Sequence, residues 1–269
     1  MDFKKDNKIL KTSISEDGIF FLTLNDPHNH NALSEEMMFN LQSVLNDSAK
    51  DKKIRVIIIS ADGPTFSAGH DLKELKKARK NSDRGRDYFK NIMLKCSKLM
   101  QTIVLNPKPV IAEVAGVATA AGCQLVASCD LAYGGNSAKF ATPGVNIGLF
   151  CSTPMVALSR NVSNKHSLEM LLTGELISSD KAAEIGLINE SVSNDKLQEY
   201  TLDKAIKISK KSAMTLKIGK EAFYKQINMN LLDAYDYASK IMVENMLKLD
   251  AEEGINAFIE KRKPQWQDK

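Results

Sequence analysis

Two short turns rich in small residues hold the groups in this 269-residue chain best suited to chemistry. The first, Phe66-Ser67-Ala68-Gly69-His70-Asp71-Leu72, follows the β-branched run Arg55–Ser60. The second, Gly116 to Leu125, lies between Val110–Val114 and the apolar run Leu125–Ser128. Each leaves backbone N–H groups free in a tight turn, the second at the start of a helix, where the dipole attracts developing negative charge. Two convergent N–H donors are the usual equipment for stabilising a thioester enolate or a tetrahedral oxyanion. The same spacing also serves close packing alone, and both readings stand at this point.

Other side chains compete for a role. His70 leaves from the first turn and reads equally as a hydrogen-bonded structural histidine or a functional one. Glu113 alternates with Val110, Ala112 and Val114 on a strand, which suits a half-exposed sheet face; it is also the first substitute proton source. Glu74 reads as solvated. His28 and His30 form a loop pair with no third ligand in sight, so no metal is expected. Cys151 lacks a histidine base nearby in sequence and reads as packing. Asp71 and Asp130 suit turn hydrogen bonds. The ending sets Lys261, Arg262 and Lys263 between Phe258 and Trp266, ordinarily a solvated tail.

The elements that must position these groups alternate strand and helix, as in stacked α/β or α+β folds. Ile19–Leu24 reads as a strand closed by Asn25-Asp26-Pro27. Ser34 is placed to cap a helix, with Glu35 and Glu36 in its first turn and Leu33 and Met38 as a staple. The polar stretch Lys73–Asp87 reads as a mobile or helical excursion before a helix over Tyr88–Val104. From Leu197 to Leu249 the pattern is almost wholly helical, so residues 1–196 form the core and 197–269 a separate helical region. The composition, 43% hydrophobic and 26% charged, supports a sizeable core. A net charge of +4 with scattered lysines disfavours nucleic acid. No apolar run suffices for a membrane helix. The polar start Met1–Asp6 lacks a secretory signal, and Cys96, Cys123, Cys129 and Cys151 read as reduced, so a cytoplasmic location is expected.

The stretches Asn31-Ala32-Leu33-Ser34, Phe66–Leu75, Lys108–Ala112 with Gly116, Ala121–Leu125, Ser128-Cys129-Asp130, Phe140-Ala141-Thr142-Pro143 and Leu172-Thr173-Gly174 resemble the enoyl-CoA hydratase (crotonase) superfamily. Ala182-Ala183, Gly186-Leu187-Ile188 and the ending Ala257–Trp266 extend the likeness over nearly the whole chain, in family order. His70-Asp71-Leu72, Gln124–Asp130 and Pro143–Pro154 look closest to one branch of that family. The resemblance implies a ClpP-like spiral of ββα units, a C-terminal helical trimerisation region, and a homotrimer or a hexamer of two trimers. It assigns oxyanion donors to the backbone N–H groups of His70 and Ala121. It further implies a CoA path along His30, Ala68, Asp71, Leu72 and Lys73, with Phe258 and Lys261 approaching the nucleotide, often from a neighbouring subunit. Coenzyme A enters as part of the substrate; no other cofactor is implied. Phe150, Cys151 and Ser152 fall near the acyl pocket.

By the same resemblance, the family's two catalytic glutamates fall at Gln124 and Gly144. Hydration needs one group to deprotonate water and one to supply the α-proton, and a neutral amide and a glycine do neither. Gln124 can still bind a ligand or orient a water without titrating. Three functions remain: lyase- or isomerase-type enolate chemistry without the glutamate pair, such as decarboxylation, isomerisation or slow hydration; ordinary hydration in fatty-acid metabolism; and acyl-CoA binding without turnover. Reinstating both acids is expected to raise hydration, provided the side chains fit beside Ala121 and Phe150.

Overall fold

The computed structural model describes residues 8–269. The amino-terminal stretch Met1–Asp6 lies outside the described residues. The β-branched and aromatic runs form a first sheet in the order β1 (Leu10–Ile14), β2 (Ile19–Leu24), β3 (Val56–Ala61), β5 (Val110–Val114), β7 (Leu131–Gly135) and β10 (Glu190–Val192). Helix α1 (Glu35–Lys50) joins β2 to β3, starting where Ser34 accepts from the Met37 N–H at 3.1 Å. From β3 on, the chain repeats one motif. Strands β3 and β4 (Thr65–Ser67) lead into α2 (Leu72–Ala78) and α3 (Arg86–Val104); β5 (Val110–Val114) and β6 (Val117–Thr119) lead into α4 (Ala121–Ser128); β7 (Leu131–Gly135) and β8 (Lys139–Ala141) lead into α5 (Ser152–Leu158). In each repeat the first strand joins the parallel part of the large sheet and the second joins a smaller sheet, ordered β4-β6-β8-β9. That is the mixed α/β spiral of ββα units. The polar stretch after Lys73 is helical at both ends, with α2 and α3 separated only by residues 79–85.

Helix α6 (Asn164–Thr173), β9 (Ile177–Ser178), α7 (Ser179–Glu184) and β10 (Glu190–Val192) complete the layers. Four helices follow: α8 (Leu197–Ser209), α9 (Ala213–Gln226), α10 (Leu231–Met246) and α11 (Leu249–Ile259). The boundary at 196/197 falls just before α8, whose Leu197 and Ala205 bury against Ile19, Val56, Ile58, Ile111 and Tyr133 on the outer face of the large sheet. The opposite face carries the main core, including Phe20, Leu22, Ile57, Ile59, Val110, Ala112 and Val114 beneath α1, α3 and α4. Helix α10 buries no residue at all in the single chain.

Candidate functional site

The two turns meet. Their contact depends on Gly69, whose φ of +86° and lack of a side chain let the first turn approach the second; a Cβ there would fall 2.9 Å from Ala120 Cβ and 3.0 Å from Ala121 N. Gly122 allows α4 to lie directly on β4, since a Cβ would stand 2.2 Å from the Ser67 carbonyl oxygen. The first turn is held from behind by the segment before α1: Ala68 N donates to His30 O at 3.0 Å, and Leu33 N donates to Gly69 O at 2.7 Å. Asn31 stitches that segment in turn. Fully buried, its amide accepts from Asp26 N at 2.7 Å and donates to Asp62 O at 2.9 Å and Thr65 O at 2.7 Å.

Neither the His70 N–H nor the Ala121 N–H donates to an acceptor within the described residues. Ala121 opens α4, so its N–H is one of the orphan donors every helix start presents. Ala120 before it sits at φ 50° and ψ −118°, a backbone conformation costly for any residue with a Cβ. The Ala121 nitrogen lies close to the first turn, 3.0 Å from where a Cβ on Gly69 would stand.

Around these donors little can titrate. Burial lowers the pKa of the His70 ring, against a smaller upward pull from the Leu33 carbonyl. Neither ring nitrogen meets a partner with hydrogen-bond geometry, and both are shielded from solvent. Gln124, buried one turn into α4, receives the Cys96 thiol at 3.8 Å. Burial pushes that thiol up to about 12. Gly144 is buried in a 3-10 turn over Pro143–Ile147, its N–H directed at Cys151 Sγ (3.3 Å). A Cβ at 144 would lie 2.8 Å from Leu149 O, 2.9 Å from Cys151 Sγ and 3.2 Å from Cys151 N. Cys151 is therefore packed over Gly144, and burial raises its pKa too.

Glu113 lies away from the two turns. It shares the parity of Ile111, which faces α8, so its carboxyl lies on the far side of the large sheet from the two turns. Burial there raises its pKa, opposed by the neighbouring Thr201 hydroxyl. Glu74 is more engaged than a solvated residue: it accepts from Glu35 N at 3.1 Å and from Tyr88 OH at 3.2 Å.

The expected CoA-path residues cluster beside the first turn. Asp71 caps α2 through Lys73 N (2.7 Å), Leu72 is exposed at its first position, and Lys73 Nζ reaches Asn29 Oδ1 at 3.2 Å. His30 is exposed in the left-handed region, its ring 3.3 Å from Thr65 Oγ1. Phe258 and Lys261 are not brought there within one chain. Both are exposed at the end of α11, and the tail beyond docks on Arg55 and Lys210, where β3 begins rather than where it ends. Asp130, read as a turn residue, forms a largely buried ion pair with Lys220 of α9 at 2.6 Å and also accepts from Tyr224 OH and Val110 N. The sequence marks Asn31 only through the family-like stretch Asn31-Ala32-Leu33-Ser34 and gives no signal for Lys220, because their partners are remote. Among the described residues no group of three His, Cys, Asp or Glu side chains is arranged to hold a metal, and no helix is long and apolar enough to cross a membrane.

The family model for enoyl-CoA hydratase/isomerase matches residues 15–269. The mitochondrial enoyl-CoA hydratase domain-containing protein 3 of Mus musculus is 49% identical over 257 residues, covering 96% of this chain and 84% of that one. Its Homo sapiens counterpart is 50% identical over 250 residues, covering 93% and 81%. The crystal structure of that human protein superposes with a TM-score of 0.91 at 48% identity over 96% of this chain and 100% of the other. An enoyl-CoA hydratase from Mycobacterium smegmatis gives 0.92 at 43% identity over 97% and 99%. The branch suggested by His70-Asp71-Leu72 and Pro143–Pro154 is thus matched, and so is the fold. The expected cytoplasmic location is overturned, since these animal relatives are mitochondrial. Buried thiols had favoured the cytoplasm, but a low redox poise is not particular to it.

Proposed function

The chain belongs to the enoyl-CoA hydratase/isomerase family, and from that premise we propose that it binds a CoA thioester and stabilises the thioester enolate with the backbone N–H groups of His70 and Ala121. One observation carries this reading: two unpartnered N–H donors on turns pressed together through Gly69. Donors fixed before reaction cost no reorganisation as charge develops. His30, Ala68, Asp71, Leu72 and Lys73 border the thioester's CoA arm; Phe258 and Lys261 reach a nucleotide only across a subunit boundary.

Efficient hydration does not follow from this site. Gln124 cannot exchange a proton near neutrality, Gly144 has no side chain, and Cys151 is packed where one would begin. Losing a single acid/base group costs roughly 10²–10⁴-fold, and both positions are affected. The chemistry that remains is one in which the acyl group supplies its own leaving fragment, as when a carboxylate on the α-carbon departs as carbon dioxide and leaves the enolate. The same closure at 144 favours binding without turnover as the second reading.

Assembly completes the proposal. Helix α10 exposes Leu231, Leu232, Tyr235, Met242 and Met246 along one element that buries nothing. A helix this exposed needs a partner to be stable, and a homotrimer, or a hexamer of two trimers, supplies it; a monomeric mass by light scattering at micromolar concentration is the contrary result. For the site, calorimetry with acetyl-, crotonyl- and α-carboxyacyl-CoA is decisive, followed by mass spectrometry of each mixture. Binding with loss of carbon dioxide from the last supports the first reading, binding without turnover the second. No heat from any thioester at millimolar concentration removes both.

A further inference from the structure

The chain ends folded against itself. Beyond α11, Arg262 holds Glu253 with two bonds of 2.7 and 2.8 Å, and Gln265 N donates to the same carboxylate at 2.7 Å. Trp266 Nε1 donates to Lys210 O at 2.8 Å while its ring lies over Gly254, where a Cβ would stand 3.3 Å away. Asp250, buried at the start of α11, accepts from Gln267 N at 2.7 Å and Asp268 N at 3.0 Å. Asp268 joins three parts of the molecule. Its carboxylate receives Arg55 Nη1 at 2.5 Å and Ala213 N, the first N–H of α9, at 2.7 Å. Arg55, just before β3, donates its other nitrogen to Lys211 O at 2.6 Å. Asp268 adopts φ 57°, a left-handed conformation that aspartate tolerates and that these bonds hold in place.

We propose that the tail Arg262–Lys269 is a strap that fixes α10 and α11 on the core and so sets the direction in which α10 presents its apolar face to a second copy of the chain. Two anchors are needed because α10 packs chiefly on α9 and α11 rather than on the sheets. The Asp130–Lys220–Tyr224 cluster anchors α9 alone. With that anchor only, the α10–α11 pair pivots about one helix; Asp268 adds a second attachment through charge-assisted bonds at the other end. The choice of a second copy as the partner rests on the oligomeric reading above, whereas the strap itself does not.

Hydrogen exchange read by mass spectrometry on the whole 269-residue chain tests the strap directly. Asp268→Ala should speed exchange of the α11 amides on the order of 10–100-fold, the range expected when a hydrogen bond to a charged group is lost. Amides of β3 and β5 should keep their rates, and the light-scattering mass should fall. Arg55→Met, which leaves the tail residues intact, should accelerate α11 in the same way. Circular dichroism identifies any variant that fails to fold, and Arg55→Lys then repeats the measurement with the charge kept; partial acceleration supports the strap. Unchanged α11 exchange in the folded variants overturns the proposal, and so does acceleration spread evenly over β3, β5 and α11. Accelerated α11 with an unchanged mass keeps the strap and overturns its link to assembly. Loss of thioester binding by the unaltered protein, by contrast, bears on the functional reading alone.

Discussion

Adding one methyl group at position 144 tests how firmly the site is closed. A Cβ there meets Leu149 O at 2.8 Å and Cys151 Sγ at 2.9 Å, so something must move. Two of the nearest atoms are backbone, and the loop between them is tied by Leu149 N to Gly144 O at 2.9 Å and by Gly144 N to Cys151 Sγ at 3.3 Å. Overpacking of this kind costs about 1–3 kcal/mol, which for a chain this size lowers Tm by roughly 2–12 °C. Cys151→Ala in the same protein removes the sulfur contact but not the carbonyl one, so Gly144→Ala with Cys151→Ala should recover only part of the loss. Glutamate at 144 faces the same collision and adds a carboxylate to a buried turn. The gain in hydration expected from Gln124→Glu with Gly144→Glu depends on fit, and with this collision the double variant should be less stable and gain little. The assay is urea unfolding beside the decay of crotonyl-CoA absorbance. A Gly144→Ala protein as stable as the parent, or a stable double variant that hydrates about 10²-fold faster, would refute the closed-turn argument.

Three further outcomes follow from residues outside that turn. Ala120→Gly should raise Tm, because relief of about 1–3 kcal/mol of backbone strain exceeds the roughly 0.4–1 kcal/mol of added unfolded-state entropy; a lower Tm in thermal scans contradicts the strain. Glu113 has a folded-state pKa raised by burial, so the native state holds its proton longer than the unfolded chain does. Its contribution is complete below the ordinary carboxylate range and is lost as pH rises through the raised value. Glu113→Gln should flatten that part of the stability–pH curve without touching turnover, and a loss of activity would place Glu113 in the reaction after all. Asp130→Asn leaves Lys220 buried without its counter-charge and should cost about 3–5 kcal/mol, while adding Lys220→Met should restore much of it; equal losses in both variants by urea titration would rule out the ion pair as the cause.

Much of the fold was legible because it is written in neighbouring residues. β-Branched runs mark β2, β3 and β5, Ser34 marks the start of α1, and the change of pattern near 197 marks the final helices. Gln124 and Gly144 are read from the sequence alone, and it is the family resemblance that sets them against the two glutamates. Only the tertiary structure decides the rest. The alternation along β5 sets Glu113 apart from Ala112, but which face carries the site depends on where α4 and α8 pack. Lys220 meets Asp130 across 90 positions, and Arg55 meets Asp268 across 213, separations at which no local periodicity speaks. The tail read from sequence as a solvated or CoA-facing segment is folded onto its own chain for the same reason. The two N–H groups of His70 and Ala121 belong to separate turns, each plausible as mere packing. They come together only because a glycine lets one backbone lie against the other, next to the left-handed bend at Ala120.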